Sequence, residues 1–151
     1  MLKEKQGVSV IICAKNEYYN LKNNLTAFLQ QDYPNFEVIV VNDASDDETL
    51  SLLKTFSIKY SNLKVVNIDK NLNFFSGKKF PLSIGIKSAK NEIVLLSDAD
   101  CRPSSTKWIS NMASGFNNNT EIVLGYGKYE DRKGLLNKLI RYETLQTAMQ
   151  Y

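Results

Sequence analysis

Two aspartates separated by a single alanine follow an apolar segment in the stretch EIVLLSDADCRP. Residues 93–97 have the composition of a buried strand, and Asp98 and Asp100 stand at its end. Capping the next helix would take one oxygen acceptor, and Ser104 or Ser105 is suited to that role. The paired carboxylates therefore indicate a binding site, and their oxygen atoms suit a hard cation such as Mg²⁺ or Mn²⁺.

Other acidic and amide side chains follow the other apolar segments. Asn16 and Glu17 come after the first segment, and Asp43 and Asp46 come after the second. Two carboxylates ~4 Å apart would repel each other by roughly 4 kcal/mol at an effective dielectric of about 20. Protonation, lysine partners or a metal ion must offset that repulsion. Because Mg²⁺ is usually held by one or two carboxylates and by substrate phosphates, the pattern favours a metal–diphosphate site.

The glycine-rich phosphate loops GxxxxGK[ST] and GxGxxG are absent from the sequence. A backbone cradle for phosphate is therefore not expected, and the metal must carry much of the phosphate charge. In the loops themselves, Asn16 is placed to cap the first helix. Ser45 and Glu48 have the spacing of a capping box for the second helix.

Apolar segments alternate with amphipathic segments, and this alternation predicts which polar residues meet. The predicted strands cover residues 8–13, 36–42, 63–68, 93–97 and 121–129, and a helix is expected after each of the first four. Continuous apolar strands are typical of a parallel sheet with helices on both faces. The predicted fold is α/β, with three α/β/α layers around a mostly parallel sheet. Ligands of such sheets bind beyond the carboxyl ends of the strands, so the polar residues should share one edge.

Composition excludes several kinds of chemistry. The 151 residues include no histidine, which removes histidine general bases, histidine-activated nucleophiles and histidine zinc sites. Cys13 and Cys101 are too few for a disulfide framework and are expected to be free thiols in a reducing, cytoplasmic compartment. The net charge of +3, without a dense basic run, argues against a nucleic-acid partner. No apolar run reaches the ~18 residues of a membrane span.

Four segments in order resemble the family 2 glycosyltransferases: VSVIICAKNE, VIVVNDASDDET, GKKFPLSIGIKSAK and EIVLLSDADCRP. The resemblance covers roughly residues 7–130. It implies the GT-A fold, the Rossmann-like fold of transferases that use nucleotide-diphosphate sugars. It also implies transfer of a sugar from such a donor to an acceptor, with inversion and with a divalent metal ion.

The resemblance also implies roles for single residues. The pair Asn16 and Glu17 would lie near the nucleotide, and Asp43 would contact the base, usually uracil. Asp46 would lie in the same donor-binding loop. Lys78 would lie near the diphosphate, since it holds the basic position after glycine in the third segment.

In the fourth segment, residues 98–100 match the metal-binding DxD motif of the family. Asp100 is expected to bind the metal, and Asp98 is expected to contribute to that site and to contact ribose or sugar. The catalytic base of the family lies in a later acidic block, which KYEDRKG does not match, although Glu130 or Asp131 could substitute. We therefore expect residues 1–151 to be a single domain, the donor-binding half of a longer enzyme, with the base beyond Tyr151.

Alternatives stay open at this point. A non-catalytic nucleotide-sugar-binding module would need the same donor site. A phosphatase of the haloacid dehalogenase type would normally carry its DxD on the first strand. A nucleotidyltransferase would want a glycine-rich loop with arginine after that strand.

The acceptor, a saccharide or a lipid, is not indicated by the sequence. The last segment, LLNKLIRYETLQTAMQY, predicts an apolar helix that could pack on the rest of the enzyme, on a second copy or on a membrane surface. The expected location is the cytoplasm, or the cytoplasmic face of a membrane in the longer protein.

Overall fold

The computed structural model describes residues 6–69, 77–117 and 119–150. Four strands and five helices lie within these ranges. In chain order they are β1 (Val8–Ala14), α1 (Tyr18–Leu29), β2 (Phe36–Asp43), α2 (Thr49–Lys59), β3 (Leu63–Ile68), α3 (Lys79–Ser88), β4 (Ile93–Asp98), α4 (Trp108–Ser114) and α5 (Leu135–Gln150). Most of the polar loop that the sequence places between β3 and α3, residues 70–76, lies outside the described residues.

All strand pairs of the sheet are parallel, in the order β3-β2-β1-β4. The chain first builds outward from β1 through β2 to β3, and then returns to place β4 on the other side of β1. β1 therefore lies between β2 and β4, at the point where the strand order reverses. In open parallel sheets this reversal forms the crevice in which ligands bind.

Helices cover both faces of the sheet, so the predicted three-layer α/β/α fold is confirmed. On one face, residues of α1, α2 and α4, among them Phe28, Leu53 and Ile109, pack against inward residues of β1 and β2. On the other face, α3 packs against a smaller cluster that includes Ile11. The approach of α3 is close, since a Cβ atom at Gly85 would lie 2.6 Å from Cγ2 of Ile11.

A buried polar cluster lies at the amino end of the sheet, on the face covered by α3. We call it the amino-end cluster and define it by Ser9, Glu37, Lys90 and Asn91. The Ser9 hydroxyl donates to Oε1 of Glu37 at 2.7 Å, and the backbone N–H of Lys90 donates to the same oxygen at 2.9 Å. Asn91 donates from its side-chain amide and its backbone N–H to the Ser9 hydroxyl. These bonds fix the connection from α3 into β4.

The predicted fifth strand is wrong. Residues 121–130 contain no strand, and the nearest pairing among the described residues is an isolated bridge between Asn117 and Thr120. Ile122 and Leu124, which the apolar pattern would bury, are 77% and 82% exposed. A strand needs a neighbour to hold its backbone hydrogen bonds, and within the described part of the chain no strand pairs with this segment. Ile86 of α3, an apolar side chain that the sequence pattern would place in the core, is 46% exposed as well.

The chain divides into two compact units, Met1–Ser114 and Gly115–Tyr151. In the second unit α5 buries none of its residues. Polar and charged residues separate its apolar ones, so the description of this segment as an apolar helix is not confirmed. Among the described residues no helix combines the length and the hydropathy that crossing a membrane requires. The expectation of one domain over residues 1–151 stays a prediction.

Candidate functional site

The two strands that flank β1 bring acidic residues to one edge of the sheet. Cys13 of β1 is in register with Asp98 of β4, and Ala14 is in register with Asn42, the residue before Asp43. Neighbouring strands lie about 4.8 Å apart, so Asp43 and Asp98 flank β1 across about 10 Å. The prediction that they share the carboxyl edge is confirmed.

The side chains also share a face. Cys13 packs against the cluster that lies under α3. Because side chains alternate along a strand, Asp43 and Asp98 point to the same face as Cys13. We call the group Asp43, Lys78, Asp98 and Asp100 the acidic edge. The charges of Asp43, Lys78 and Asp98 act on the neighbouring Cys13 and affect the pKa of its thiol.

Burial raises the pKa of the Cys13 thiol, Lys78 opposes this change, and Asp43 and Asp98 add to it. Burial also raises the pKa of Cys101, with Asp100 adding to the effect. Both thiols are therefore held in the neutral, poorly nucleophilic form at neutral pH. Both are free cysteines, as the sequence predicted.

Lys78 is the cation of the acidic edge. Its Nζ lies 2.8 Å from Oδ1 of Asp98. The hydrogen bond to Asp98 raises the pKa of Lys78, burial opposes this change only in part, and the negative charges of Asp98 and Asp100 add to it. Lys78 immediately precedes α3, so the start of that helix brings the ammonium to the end of β4.

The loops after β1 and β2 are joined by hydrogen bonds. The backbone N–H of Asn16 donates to the Ser45 hydroxyl at 2.9 Å, and the Asn16 amide oxygen accepts from the backbone N–H of Asp46 at 2.8 Å. Glu17 donates its backbone N–H to Oγ1 of Thr49 at 3.0 Å. Asn16 and Ala44 both have positive φ, 58° and 49°, a conformation that costs energy outside glycine. The hydrogen bonds between the two loops hold this conformation in place. The joined loops therefore form a fixed floor for the acidic edge.

Both capping predictions are wrong for the same reason. α1 and α2 begin without a side-chain cap bond, since Asn16 and Ser45 use their side chains across the two loops. Glu17 accepts from the side-chain amide of Asn20 at 2.6 Å, within the first turn of α1. Its expected place near a nucleotide stays a prediction.

Asp47 is a scaffold residue whose role the sequence analysis did not assign. Its carboxylate accepts from the backbone N–H of Tyr18 at 3.2 Å and of Thr49 at 3.0 Å. Burial would raise the pKa of Asp47, but the bonds from Thr49 and Tyr18 prevail and lower it. The acidic run in DASDDET was the available signal, but it does not tell a ligand-binding carboxylate from a loop-binding one.

Asn42 lies beside Asp43 but points to the opposite face, toward α1 and α2, where its neighbours Val38 and Val40 are buried. It donates to Oδ1 of Asn67 at 2.7 Å. Its own amide oxygen is buried, and no described residue donates a hydrogen bond to it. An acceptor left in this state typically costs about 1–3 kcal/mol.

The acidic edge can take a metal ion only with help from a ligand. In residues 6–69, 77–117 and 119–150, no group of three or more carboxylates, thiols or imidazoles gathers closely enough to hold a metal. Asp98 and Asp100 provide two carboxylates, the usual number for Mg²⁺ that is also bound by substrate phosphates. The residues therefore fit a cation that arrives with a phosphate-containing ligand.

A cavity of about 430 Å³ lies elsewhere, within the second unit. Its lining consists of Tyr126, Lys128, Lys138, Arg141, Tyr142 and Leu145. None of these residues belongs to the acidic edge. The chemistry of the edge, rather than this cavity, identifies the candidate site.

Comparison with known proteins identifies the chain. The profile of the family described as glycosyl transferase family 2 matches residues 9–150. A probable glycosyltransferase of Bacillus subtilis, YdaM, is 33% identical over 149 residues, covering 95% of this chain and 35% of YdaM. The chain thus spans about a third of the length of this relative.

Two solved structures have the same fold. TarS of S. aureus, residues 1–349 in complex with UDP-GlcNAc, superposes with a TM-score of 0.63 at 31% identity, covering 72% of this chain and 30% of that chain. The mannosyltransferase PcManGT of Pyrobaculum calidifontis, in complex with GDP-Man and Mn²⁺, superposes with a TM-score of 0.64 at 28% identity, covering 73% and 32%. The GT-A fold expected from the sequence is thereby confirmed. Since the family profile spans nearly the whole chain and YdaM exceeds 30% identity along it, the chain belongs to glycosyl transferase family 2.

Proposed function

We propose that this chain is the donor-binding part of a metal-dependent, inverting glycosyltransferase that takes its sugar from a nucleotide diphosphate. The observation that carries the proposal is the acidic edge. A lysine and two aspartates that form one charged group lie at the strand-order reversal, where such sheets bind nucleotides. The family membership supplies the reaction class.

Each residue of the edge has a proposed task. Asp100, with Asp98, would hold Mg²⁺ or Mn²⁺, and Asp98 would also contact ribose or sugar. Lys78 would bind the diphosphate, because an ammonium beside two carboxylates can turn to phosphate oxygens once a ligand enters. When bound, the metal ion would stabilise the negative charge that grows on the leaving diphosphate.

The nucleotide base is assigned to Asp43, which is 8% exposed and held at the end of β2. The joined loops, with Asn16, Glu17 and Asp46, would form the floor beneath the nucleotide. Related structures hold UDP-GlcNAc in one case and GDP-Man in the other, so the fold accepts different bases. We favour UDP because the family pattern places a uracil-binding aspartate at Asp43.

The catalytic base is proposed to lie outside these residues. Glu130 is paired with Arg132 at 3.4 Å, and Asp131 is paired with Arg141 at 2.5 Å. Both carboxylates thus have cation partners within the second unit, which argues against either as the substitute base. The acceptor, a saccharide or a lipid, would bind to parts of the longer protein, and residues 1–151 alone are expected to bind donor without transferring sugar.

Titration calorimetry with UDP, GDP and TDP, with and without Mn²⁺, tests the proposal. We expect UDP to bind most tightly and Mn²⁺ to increase its affinity. Asp43→Ala should weaken uridine and UDP alike, by about tenfold, because a hydrogen bond to a charged group is lost. Failure of every nucleotide to bind in the presence of Mn²⁺ would refute the proposal. A loss in Asp43→Ala that appears only with Mn²⁺ would refute the base assignment alone.

A further inference from the structure

The ion pair between Lys78 and Asp98 engages one of the two carboxylate oxygens of a residue in the proposed metal site. Lys78 Nζ and Asp98 Oδ1 are 2.8 Å apart, and the two side chains are 73% and 56% exposed. An ion pair this open to water is weak and exchanges readily. A divalent cation on Asp98 would be repelled by the positive ammonium on the same carboxylate.

The position of Lys78 does not follow from its own helix. Lys78 is the residue at the amino end of α3, and the helix dipole disfavours a cation there. The first turn of α3 has no acidic residue that could compensate. The hydrogen bond to Asp98 therefore accounts for where the ammonium lies.

The amino end of α3 is also a place where phosphate is favoured, since backbone N–H groups and the dipole attract anions. Lys78 thus stands between two partners of like charge, the Asp98 carboxylate and any diphosphate bound at the edge. A metal ion and an ammonium on one carboxylate repel each other, so a metal that binds Asp98 would favour the transfer of Lys78 to the diphosphate.

We propose that Lys78 is a resident counter-ion that competes with the divalent metal for Asp98, so that the metal enters together with the nucleotide diphosphate rather than before it. The inference rests on the proposed function. In the empty site Lys78 neutralises Asp98 and keeps metal affinity low. When a diphosphate enters, Lys78 transfers to its oxygens and frees Asp98 for the metal. The same lysine thereby weakens metal binding without nucleotide and strengthens nucleotide binding with metal.

The test measures two affinities of the whole chain and of Lys78→Met. Binding of Mn²⁺ alone is followed by electron paramagnetic resonance of the free ion. Removal of the competing cation should tighten it by roughly two- to fivefold, the scale of an exposed ion pair. Binding of UDP at saturating Mn²⁺ is followed by calorimetry. It should weaken by about tenfold, since a charge-assisted bond to the phosphates is lost.

Lys79→Met is the matched control, because it removes the same charge from the next residue. No ion pair of Lys79 is seen among residues 6–69, 77–117 and 119–150. It should change Mn²⁺ affinity much less than Lys78→Met does. In an Asp98→Asn background the gain from Lys78→Met should disappear, since the contested carboxylate is gone.

Unchanged or weaker Mn²⁺ binding in Lys78→Met would overturn the inference, as would no detectable Mn²⁺ binding by that variant. An equal gain in Mn²⁺ affinity from Lys79→Met would mean that the net charge alone causes the effect, and this result would also overturn the inference. If wild-type protein bound no nucleotide, the proposed function would fail. The Mn²⁺ measurement would still decide whether Lys78 and the metal compete for Asp98.

Discussion

The two ends of the same parallel sheet carry polar clusters of opposite character. The amino-end cluster buries its carboxylate, with Glu37 7% exposed, and Oε1 of that carboxylate accepts two hydrogen bonds. The acidic edge also has one buried carboxylate, Asp43, but it leaves Asp98, Asp100 and Lys78 exposed and concentrates charge there. Next to it the buried amide oxygen of Asn42 has no donor among the described residues.

The difference separates polar residues that hold the fold from those that bind a ligand. At the amino end, hydrogen bonds within the protein join the buried polar groups of the cluster, so these groups do not need a ligand as a partner. At the carboxyl end, the charges of Asp98 and Lys78 are in reach of solvent, and the ion pair that balances Asp98 is weak. Mutations at the two ends should therefore affect different measurements, stability at one and nucleotide affinity at the other.

The largest expected effect comes from Asp100→Ala. Affinity for UDP in the presence of Mn²⁺ should fall by about 100-fold, since even residues behind a metal ligand cost 10–100-fold when they are removed. Stability should be unchanged, because the side chain is exposed. Calorimetry and urea unfolding measure the two quantities. Asp32→Ala, at an exposed residue of the loop before β2, is the control. Equal UDP affinity in Asp100→Ala and wild type would mean that the acidic edge is not a metal site.

The opposite result is expected from Glu37→Ala in the amino-end cluster. Removal of the carboxylate leaves the buried Ser9 hydroxyl and the partly buried backbone N–H of Lys90 without this acceptor, which should cost about 2 kcal/mol of unfolding free energy. UDP affinity should stay the same. Glu92→Ala, a nearby exposed glutamate, is the control for urea unfolding. If UDP affinity fell in Glu37→Ala while the protein stayed folded, the contrast between the two ends would not hold.

The sequence predicted the sheet well because its strands are buried apolar runs. β3 was predicted at its observed bounds, and β1, β2 and β4 each extend one residue further than predicted, to Ala14, Asp43 and Asp98. Those last residues are polar or small, but backbone hydrogen bonds with neighbouring strands continue through them. Because the parallel strands pair in this register, their last residues lie at the same edge of the sheet, and the acidic residues come together there.

What the sequence did not predict depends on contacts between distant residues. Asn16 and Ser45 have the composition of helix caps, but each side chain bonds a loop about 30 residues away. The Lys78–Asp98 pair joins residues 20 positions apart, which no local rule relates. Residues 121–129 have the composition of a strand, yet none of the described strands pairs with them. Local propensity is overridden in each case by what lies next to the segment in space.

The smallest expected effect tests the floor beneath the acidic edge. Asp47→Ala removes the acceptor of the Tyr18 and Thr49 backbone N–H groups, and should lower stability at pH 7 by about 1 kcal/mol, as the loss of a helix cap does. The folded-state pKa of Asp47 is lowered, so its contribution is present above the ordinary pKa of 3.8 and is lost as pH falls through the lowered value. The stability difference between wild type and Asp47→Ala should therefore shrink as pH falls from 7 toward the acid limit of the folded state. Urea unfolding across that range measures the difference, with Asp32→Ala as the control. A difference that stays constant with pH would show that the Asp47 carboxylate does not join the two loops, and the edge would then lack the fixed support that separates it from an ordinary charged surface.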